Sequence, residues 1–480
     1  MRGIISPLGG ARLQVLRRGR VLRREFWPML IFVSALTMRF ASGVTANVSF
    51  FLLAAYALSG RAQAIQSLAL GWLFSMLSGG EKGGIAPPAT QAAIGRYIVI
   101  AAAALSILIR NLLSSSKGQV SLPTLSTWLF GAFIFSHSCL FSTDVEISLL
   151  KSTVWAVTFL TLLSAWENLS VESRQQLQAQ LIGLLVAILL CSLPLVFLSV
   201  GYVANNSGFQ GILNQPQGFG PVMALLGSFV IIGLLAKPQP LWRDLTLAVA
   251  CLVMVIMSQA RTAGLALVLG VVIAVIVAPM LMRHSKYNAL PGLRNTKMLL
   301  MLFLLTLCAL VGLALGEEEK LAKILDSYLS KGGGTSNLSE AYQNSRGGLM
   351  AAMWDNIVSQ PFTGIGFGVA STSWDMDIIT RDPYFGLPLG APIEKGVLPL
   401  AVLEELGIPG FVLFLGWLGI LIQRAGRRGV LELALAATVF LINFGESTLM
   451  SPSGLGMILL IVLTWAVALP KQPSNVSFRA

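Results

Sequence analysis

The sequence predicts an all-α protein: a polytopic membrane helix bundle of about 12 to 14 spans with one large extracytoplasmic loop. Two observations support this fold class. Apolar residues make up 55% of the 480 residues and charged residues only 11%, a composition typical of integral membrane proteins. The apolar stretches are close to helix-spanning length and lack the alternation of barrel strands, and a bilayer admits only helices or closed barrels.

The apolar stretches follow one another along the chain. They lie at about 27–43, 44–59, 63–79, 94–110, 120–141, 146–165, 177–200, 218–236, 243–260, 262–282, 298–316, 398–422, 430–446 and 453–469. The first two are short enough to form one kinked pair of half-spans. We therefore expect a basic cytoplasmic tail at 1–26 without a cleavable signal peptide, transmembrane segments at 27–316 and 397–470, the outer loop at 317–396, and a cytoplasmic tail at 471–480.

Lysine and arginine predict the orientation of the bundle. Seven arginines lie in the first 24 residues, and placing them in the cytoplasm also puts most basic residues between the spans on that side, as the positive-inside rule requires. The net charge of +12 is thus a topology signal and favours contact with anionic lipids. It does not indicate nucleic-acid binding.

The long polar break at 317–396 then lies outside, with 6 basic and 10 acidic residues, a net charge of −4. Helical spacing predicts amphipathic helices at 317–331 and 340–360, the second ended by Pro361. The run 371–391 is irregular, and a lid and a disordered segment remain open as interpretations. A loop of this length is typical of a functional segment.

Cysteine and histidine predict no metal site. Four cysteines fall within predicted spans without metal-ligand spacing: Cys139, Cys191, Cys251 and Cys308. His137 lies within a span and His284 on the cytoplasmic side, so we expect neither to serve the outer loop. That excludes a histidine-based zinc site or a Ser-His-Asp triad there, and no cofactor is expected.

Four segments, in order, resemble the O-antigen ligase and O-antigen polymerase-like membrane proteins. They are Gly211 to Pro216, the Ser-x-x-Arg-Thr-x-Gly element from Ser258 to Gly264, Arg346 with Trp354 and the turn-rich run Pro361 to Gly368, and the Glu-x-Gly-Ile-x-Gly element within Leu403 to Gly410. The order and the predicted topology match the family over roughly residues 200 to 420.

The resemblance implies a metal-independent glycosyltransferase of the bacterial inner membrane whose active site faces the periplasm. Such proteins resemble other lipid-linked-donor (GT-C type) glycosyltransferases. They move a glycan from undecaprenyl diphosphate to an acceptor hydroxyl on a lipid or on another carrier-linked glycan. The chain is expected to act as a polysaccharide polymerase or a divergent O-antigen ligase.

Arginines in these segments are candidates to bind the diphosphate. The departing diphosphate gains negative charge, and a guanidinium holds phosphate oxygens bidentately without being neutralised. Arg261 lies at headgroup depth and Arg346 at the start of the outer loop, while Arg381 has no clear motif around it. A snorkelling arginine and a solvated helix charge are the structural alternatives for the first two. Asn214 is a candidate for sugar hydroxyls, or simply a turn residue.

Glu394 and Lys395 stand near the position where the ligases carry a His-Asn pair. Counted back from Glu405, that pair falls on Gly396-Val397, so the histidine is missing. We expect Glu394 to orient or deprotonate the acceptor hydroxyl and Lys395 to bind phosphate, with a paired surface charge at a helix start as the alternative. Glu404 and Glu405 lie about two turns into a span, and one of them is expected to face an internal cavity and pair with Arg261 or Arg346. Glu405 is also a candidate for substrate binding.

Two other functions remain open. The first is transport of inorganic carbon or another small solute, the function by which some members of this superfamily are described. Transporters bind their substrates at polar sites near the middle of the bilayer. The candidates for such a site are four polar residues within the predicted spans: Arg39, His137, Lys151 and Glu446. A non-catalytic partner that only binds the lipid-linked glycan is the third reading.

Overall fold

The computed structural model describes residues 26–27, 29–78, 84–87, 92–113, 120–202, 208–281, 290–291, 338–372, 380–381, 388–390 and 395–469. For 93, 338–346, 380–381 and 388–390 it describes the course of the backbone alone. The predicted span at 298–316 and the predicted helix at 317–331 lie outside the described residues.

The described helices are numbered in chain order. The first seven are α1 (Met29–Ala41), α2 (Gly43–Ala57), α3 (Arg61–Met76), α4 (Ala92–Leu113), α5 (Leu122–Phe141), α6 (Val145–Glu167) and α7 (Val171–Ser192). The others are α8 (Pro216–Ala236), α9 (Trp242–Met257), α10 (Arg261–Leu281), α11 (Leu338–Ser359), α12 (Leu398–Arg428), α13 (Val430–Ile442) and α14 (Leu455–Val467).

Short irregular elements complete the described part of the chain. Two 3₁₀ turns, Leu193–Phe197 and Ser199–Tyr202, follow α7. Two very short antiparallel strands, β1 (Thr380–Arg381) and β2 (Pro388–Gly390), form a ladder in the predicted outer loop. Apart from this ladder and isolated bridge residues, regular structure in the described residues is helical, so the all-α prediction is confirmed.

Seven of the helices are long and apolar enough to cross a membrane, and four shorter apolar helices accompany them. The first two predicted stretches are two short helices separated at Ser42, whose side chain caps α2 in a capping box. The helix predicted at 340–360 is α11, which ends at Ser359, just before Pro361. The class predicted from composition, a polytopic membrane protein, is therefore confirmed.

Small residues let the central helices approach closely. Along α10, the buried residues Ala263, Ala266, Gly270 and Ala274 recur at helical spacing. A Cβ at Gly270 would lie 2.3 Å from Oγ1 of Thr438 on α13, and that hydroxyl also lies 2.8 Å from Oγ of Ser228 on α8. Close packing of small residues with hydroxyl hydrogen bonds is how helices associate within lipid.

One end of the bundle, called here the basic end, gathers arginines onto helix termini. Arg174 at the start of α7 donates to the carbonyls of Trp465 (3.0 Å) and Ala468 (2.6 Å) at the end of α14. Arg428 at the end of α12 donates to the carbonyl of Ala466 (2.8 Å). Guanidinium groups thus satisfy carbonyls that a helix C-terminus leaves without partners.

The opposite end, called here the motif end, holds the junctions between segments that carry the predicted motifs. The ends of α5, α7 and α13 and the starts of α8, α10 and α12 meet there, joined by backbone hydrogen bonds such as Leu398 N–H to the Asn443 carbonyl (2.9 Å). The arginines that bind helix C-termini and the motif segments therefore lie at opposite ends of the helices. That the basic end faces the cytoplasm stays a prediction.

Candidate functional site

The candidate site is built on a break in α12. Gly407 has φ 64° and ψ −174°, which interrupts the helix just after Glu404 and Glu405. The freed backbone pairs with the run Pro361–Gly368: Ile365 N–H donates to the Glu404 carbonyl and Gly366 N–H to the Glu405 carbonyl, both at 3.0 Å. Ile408 N–H donates in turn to the Pro361 carbonyl at 2.8 Å. The turn-rich run is thus a strap bonded across the broken helix.

Two glycines make this crossing possible. A Cβ at Gly407 would lie 2.3 Å from the Phe362 carbonyl oxygen, and a Cβ at Gly364, which has φ +62°, would lie 2.6 Å from the Glu404 carbonyl oxygen. The dihedral angles of Gly407 fall in a region that essentially only glycine adopts. The sequence predicts a tight turn at Gly364, and the structure shows that its partner is the broken helix.

A buried charge cluster lies under the strap. Nζ of Lys395 lies 2.7 Å from Oε2 of Glu404 and 3.0 Å from Oε1 of Glu405. The exposed fractions of the three residues are 3%, 0% and 8%. Burying an ammonium group and two carboxylates has a high desolvation cost unless each charge has close partners. The mutual contacts of these three side chains offset that cost.

The remaining carboxylate oxygens are also satisfied. Glu404 accepts hydrogen bonds from Nδ2 of Asn356 (2.7 Å), on α11, and from Oγ of Ser371 (3.0 Å). Glu405 accepts one from the backbone N–H of Gly368 (2.7 Å). The cluster therefore ties α11, the strap and α12 together through charge-assisted hydrogen bonds.

Two side chains from α5 and α6 hold the strap from the other side. Lys151 Nζ donates to the Gly368 carbonyl (2.7 Å) and interacts electrostatically with Glu405 and Lys395. His137 Nε2 lies 2.6 Å from the Thr363 carbonyl oxygen, so this nitrogen carries the proton that the carbonyl accepts. Lys395 and Lys151 together balance the two glutamates.

The expectation that neither histidine serves the outer loop is wrong for His137. Counting along the apolar stretch places His137 inside a span, yet it is one turn from the end of α5 and the strap descends to meet it. Among the described residues, the basic partner of both Glu404 and Glu405 is Lys395. The pairing expected with Arg346 involves a side chain outside them and stays a prediction.

Arg261 begins α10 at a tight elbow. Gln259, two residues earlier, has φ 56° and is the only non-glycine residue with positive φ in the described ranges. A Cβ at Gly220 would lie 2.5 Å from Oγ of Ser258, and Phe209 N–H donates to the Met257 carbonyl (2.9 Å). The elbow is therefore fixed by α8 and by the segment before it, and Arg261 is half-buried there.

A turn at 443–448 joins this elbow to the charge cluster. Oδ1 of Asn443 accepts from the N–H groups of Thr448 (3.0 Å) and Leu449 (2.8 Å). Gly445 packs so closely on Thr262 that a Cβ would lie 2.1 Å from its methyl group. Ser447 Oγ accepts a hydrogen bond from Lys395 N–H (3.2 Å). The helix that Arg261 begins and the segment that carries Lys395 thus contact the same short turn.

The structure brings some of the predicted site residues together, leaves one apart, and does not describe the side chains of the others. Lys395 and Glu405 are in direct contact, and Arg261 lies on the elbow beside the 443–448 turn. Asn214 is exposed, and its backbone N–H donates to the Met76 carbonyl (2.8 Å). Three further candidates lie wholly or by their side chains outside the described residues: Arg346, Arg381 and Glu394. Their roles stay predictions, as do those of the described candidates.

Sequence reasoning missed Asn356, considered Lys151 only as a candidate for a transport site, and did not pair Glu404 with Lys395. Nothing in the sequence distinguishes Asn356 from other polar residues on its helix. The pairing of Glu404 with Lys395, nine residues away, could not be predicted without knowing that α12 is broken. Lys151 carries the one usable signal, because a lysine within an apolar stretch is costly and favours a functional or paired position.

No group of three or more potential metal ligands occurs among the residues that the structure describes. Metal independence stays a prediction that follows from the family resemblance.

The fold and the site define a polytopic all-α membrane protein with a buried charge cluster at one end of the bundle. Residues 246–415 match the family model described as O-antigen ligase (Wzy_C), and this match confirms the resemblance predicted from the four segments. The matched region contains the Arg261 elbow, α11, the strap, Lys395 and the break in α12. Comparison with curated proteins finds no match.

Replacing Gly407 with alanine is expected to lower the free energy of unfolding by about 3 kcal/mol, because a Cβ is strained at this φ and ψ and overlaps the strap. Thermal unfolding of the purified protein in detergent measures the loss. The matched control is Gly416→Ala on the same helix, where nothing lies within 4 Å of a Cβ. Equal melting temperatures for the two variants would contradict the described crossing.

Replacing Lys395 with methionine is expected to destabilise the protein by about 3–5 kcal/mol, because two buried carboxylates lose their cation. Adding Glu404→Gln to that variant should recover part of the loss, since one carboxylate is then neutral. The control Lys237→Met removes an exposed pair with Asp244 and should cost less than about 1 kcal/mol. A full-sized loss in the control, or no recovery in the double variant, would show that the cluster is not the cause.

Proposed function

We propose that the protein is a membrane glycosyltransferase that moves a glycan from undecaprenyl diphosphate to an acceptor hydroxyl at the motif end of the bundle. The O-antigen ligase domain supports a membrane function of the O-antigen ligase or polymerase type. The specific donor, the acceptor and the reaction are the proposal. The donor is a lipid-linked glycan, and the acceptor is a second glycan or a lipid.

The observation that carries the proposal is the junction of three matched segments at one end of the bundle. The Arg261 elbow and the Lys395 segment contact the same 443–448 turn, and the strap closes over Glu404 and Glu405. A cation at headgroup depth beside an anchored polar segment is what transfer from a lipid diphosphate requires.

In the proposed reaction, Arg261 binds the diphosphate. The acceptor oxygen attacks the anomeric carbon, the bond from that carbon to the diphosphate oxygen breaks, and its electron pair leaves with undecaprenyl diphosphate. A guanidinium placed where this charge develops lowers the barrier without gaining or losing a proton. Arg346 and Arg381, from α11 and β1, are the further cations proposed for the phosphates or the sugar.

Glu394 is the proposed acceptor of the hydroxyl proton. Its neighbour along the chain, Lys395, is held by Glu404 and Glu405. This contact also changes the role proposed for Lys395. A lysine that is already bonded to two carboxylates positions the segment, and Glu405 supports substrate binding by holding Lys395 and the strap. Asn214, which is exposed, remains the candidate for sugar hydroxyls.

One structural feature favours transport as the second candidate function. Transporters often have a helix broken beside buried charges, and α12 is broken beside Glu404, Glu405 and Lys395. Uptake of labelled bicarbonate or other small solutes into proteoliposomes would support transport, whereas a lipid-linked product without uptake would support transfer.

Replacing Arg261 with alanine is expected to reduce glycan transfer by on the order of 100-fold or more, because the developing diphosphate charge loses its cation. The amount of inserted protein should not change. The measurement is the length distribution of the glycan product, with membrane abundance from an immunoblot. Arg243→Ala, an exposed arginine at the basic end, is the control. A normal product length distribution in the Arg261 variant would contradict the assignment.

Deleting the gene should leave a diagnostic lipid-linked intermediate. A polymerase leaves single repeats on the carrier, because repeats are made but not joined, and a ligase leaves finished chains. The missing histidine before the Glu-x-Gly element favours the polymerase result or a divergent ligase. Mass spectrometry of extracted lipid-linked glycans distinguishes the two. No change in either species would contradict glycan transfer and favour transport.

A further inference from the structure

A polar cavity of about 360 Å³ lies at the basic end, where α3 begins, α4 ends and α6 turns into α7. We infer that it binds the headgroup of an anionic phospholipid, one of whose chains lies in an adjoining apolar groove. This cavity lies at the other end of the helices from the charge cluster, and lipid binding here requires no particular chemistry at that cluster.

Two arginines give the cavity its charge. Arg61 and Arg110 both line it and repel each other electrostatically, and no acidic side chain is among the lining residues. Their partners are neutral: Arg61 donates to Oδ1 of Asn111 (3.2 Å) and Arg110 to the Leu58 carbonyl (3.1 Å). Nε of Arg61 is buried without a partner among the described residues. A phosphate would relieve the repulsion and accept from both guanidinium groups.

The ends of two helices add to the positive potential. Arg61 is the first residue of α3, whose N-cap, Gly60, makes no side-chain cap hydrogen bond. Ser170 caps α7 and lines the same cavity. The N-termini of two long helices thus meet the two arginines, and each carries a partial positive charge that favours an anion.

The cavity continues into an apolar groove of about 610 Å³ between α1, α3 and α7. Its apolar lining includes Phe32, Leu70, Leu181 and Leu184. Both hollows share Gln66, Gln176, Leu177 and Gln180. The polar and the apolar part therefore form one continuous amphipathic site.

A row of hydrogen bonds marks the junction of the two parts. Tyr56 O–H donates to Oε1 of Gln66 (2.8 Å), and Nε2 of Gln66 donates to Oε1 of Gln180 (2.6 Å). The order from arginines through amides to leucines matches that of a phospholipid, from phosphate through ester groups to acyl chain.

Other occupants fit this surface less well. A free anion would leave the apolar groove uncovered, and a zwitterionic lipid would bring its own cation to two arginines. The chain's own first 24 residues carry seven arginines and no acidic residue, so their charge does not complement the cavity. An anionic headgroup with an acyl chain satisfies both parts.

The test titrates phosphatidylglycerol into the purified full-length protein in detergent and measures lipid retention by native mass spectrometry and the shift in melting temperature. Phosphatidylcholine with the same acyl chains and glycerol 3-phosphate are the comparison ligands. The wild-type protein should retain phosphatidylglycerol preferentially. Arg61→Gln and Arg110→Gln should each weaken it about fivefold, the effect of one basic residue near a lipid surface.

Two controls separate this site from general lipid contact. Arg243→Gln removes an exposed arginine at the same end, one paired with Asp244, and should leave phosphatidylglycerol retention unchanged. Gly183→Leu should block the groove, because Gly183 lines it and nothing lies within 4 Å of its Cβ. Gly419→Leu, at an equally open position on α12, should not affect binding. Melting temperatures without lipid show that each variant is folded.

Three results would overturn the inference. They are equal retention of phosphatidylcholine, equal stabilisation by glycerol 3-phosphate, and undiminished phosphatidylglycerol binding by the Arg61→Gln/Arg110→Gln double variant. The first would indicate general lipid contact, the second a site for phosphate alone, and the third a lipid site elsewhere on the protein.

Discussion

The buried ammonium group of Lys395 lies in an apolar bundle, and two carboxylates at the motif end pair with it. Glu404 and Glu405 reach the same ammonium group because α12 brings both beneath the strap. The break at Gly407 then frees the backbone carbonyls of these glutamates to bond the strap. The ion pairs of the two glutamates and the backbone hydrogen bonds to the strap therefore lie at one place, beside the break in α12.

This arrangement explains how segments far apart in the sequence share one site. The strap is held by α5 and α6 through His137 and Lys151 and by α12 through its broken backbone. Asn356 on α11 joins the same site by donating to Glu404. The Arg261 elbow joins through the 443–448 turn. Membrane proteins commonly place polar sites where loops and helix ends meet at the edge of an apolar bundle.

The two ends of the bundle use arginine differently. At the basic end, Arg174 and Arg428 satisfy carbonyls at the end of α14, which is a structural task. Arg61 and Arg110 line a cavity and have no acidic partner among the described residues, which favours a ligand. At the motif end, Arg261 is half-buried at a fixed elbow. The positive-inside rule explains on which side arginines lie, and the contacts of each arginine show what it does there.

Several helices could be predicted closely because their signals are local. The ends of α11 follow from helical spacing and Pro361, and the separation of α1 from α2 follows from two short apolar stretches with Ser42 between them. Asn356 and His137 could not be assigned to the site from sequence. Their partners are Glu404, 48 residues away, and the carbonyl of Thr363, 226 residues away.

The sequence by itself determined the membrane class, the helical architecture, the separation of basic and motif ends, and the family of the 246–415 region. These properties follow from composition and spacing, because a bilayer requires apolar helices of a set length and favours basic residues on one side. Only the tertiary structure decided that Lys395 pairs with both glutamates and that Lys151 and His137 hold the strap. It also decided that Arg61 and Arg110 line one cavity with no acidic side chain among its lining residues. Such pairings depend on where a helix breaks and which backbone groups that break releases, a geometric outcome of long-range packing that no local pattern encodes.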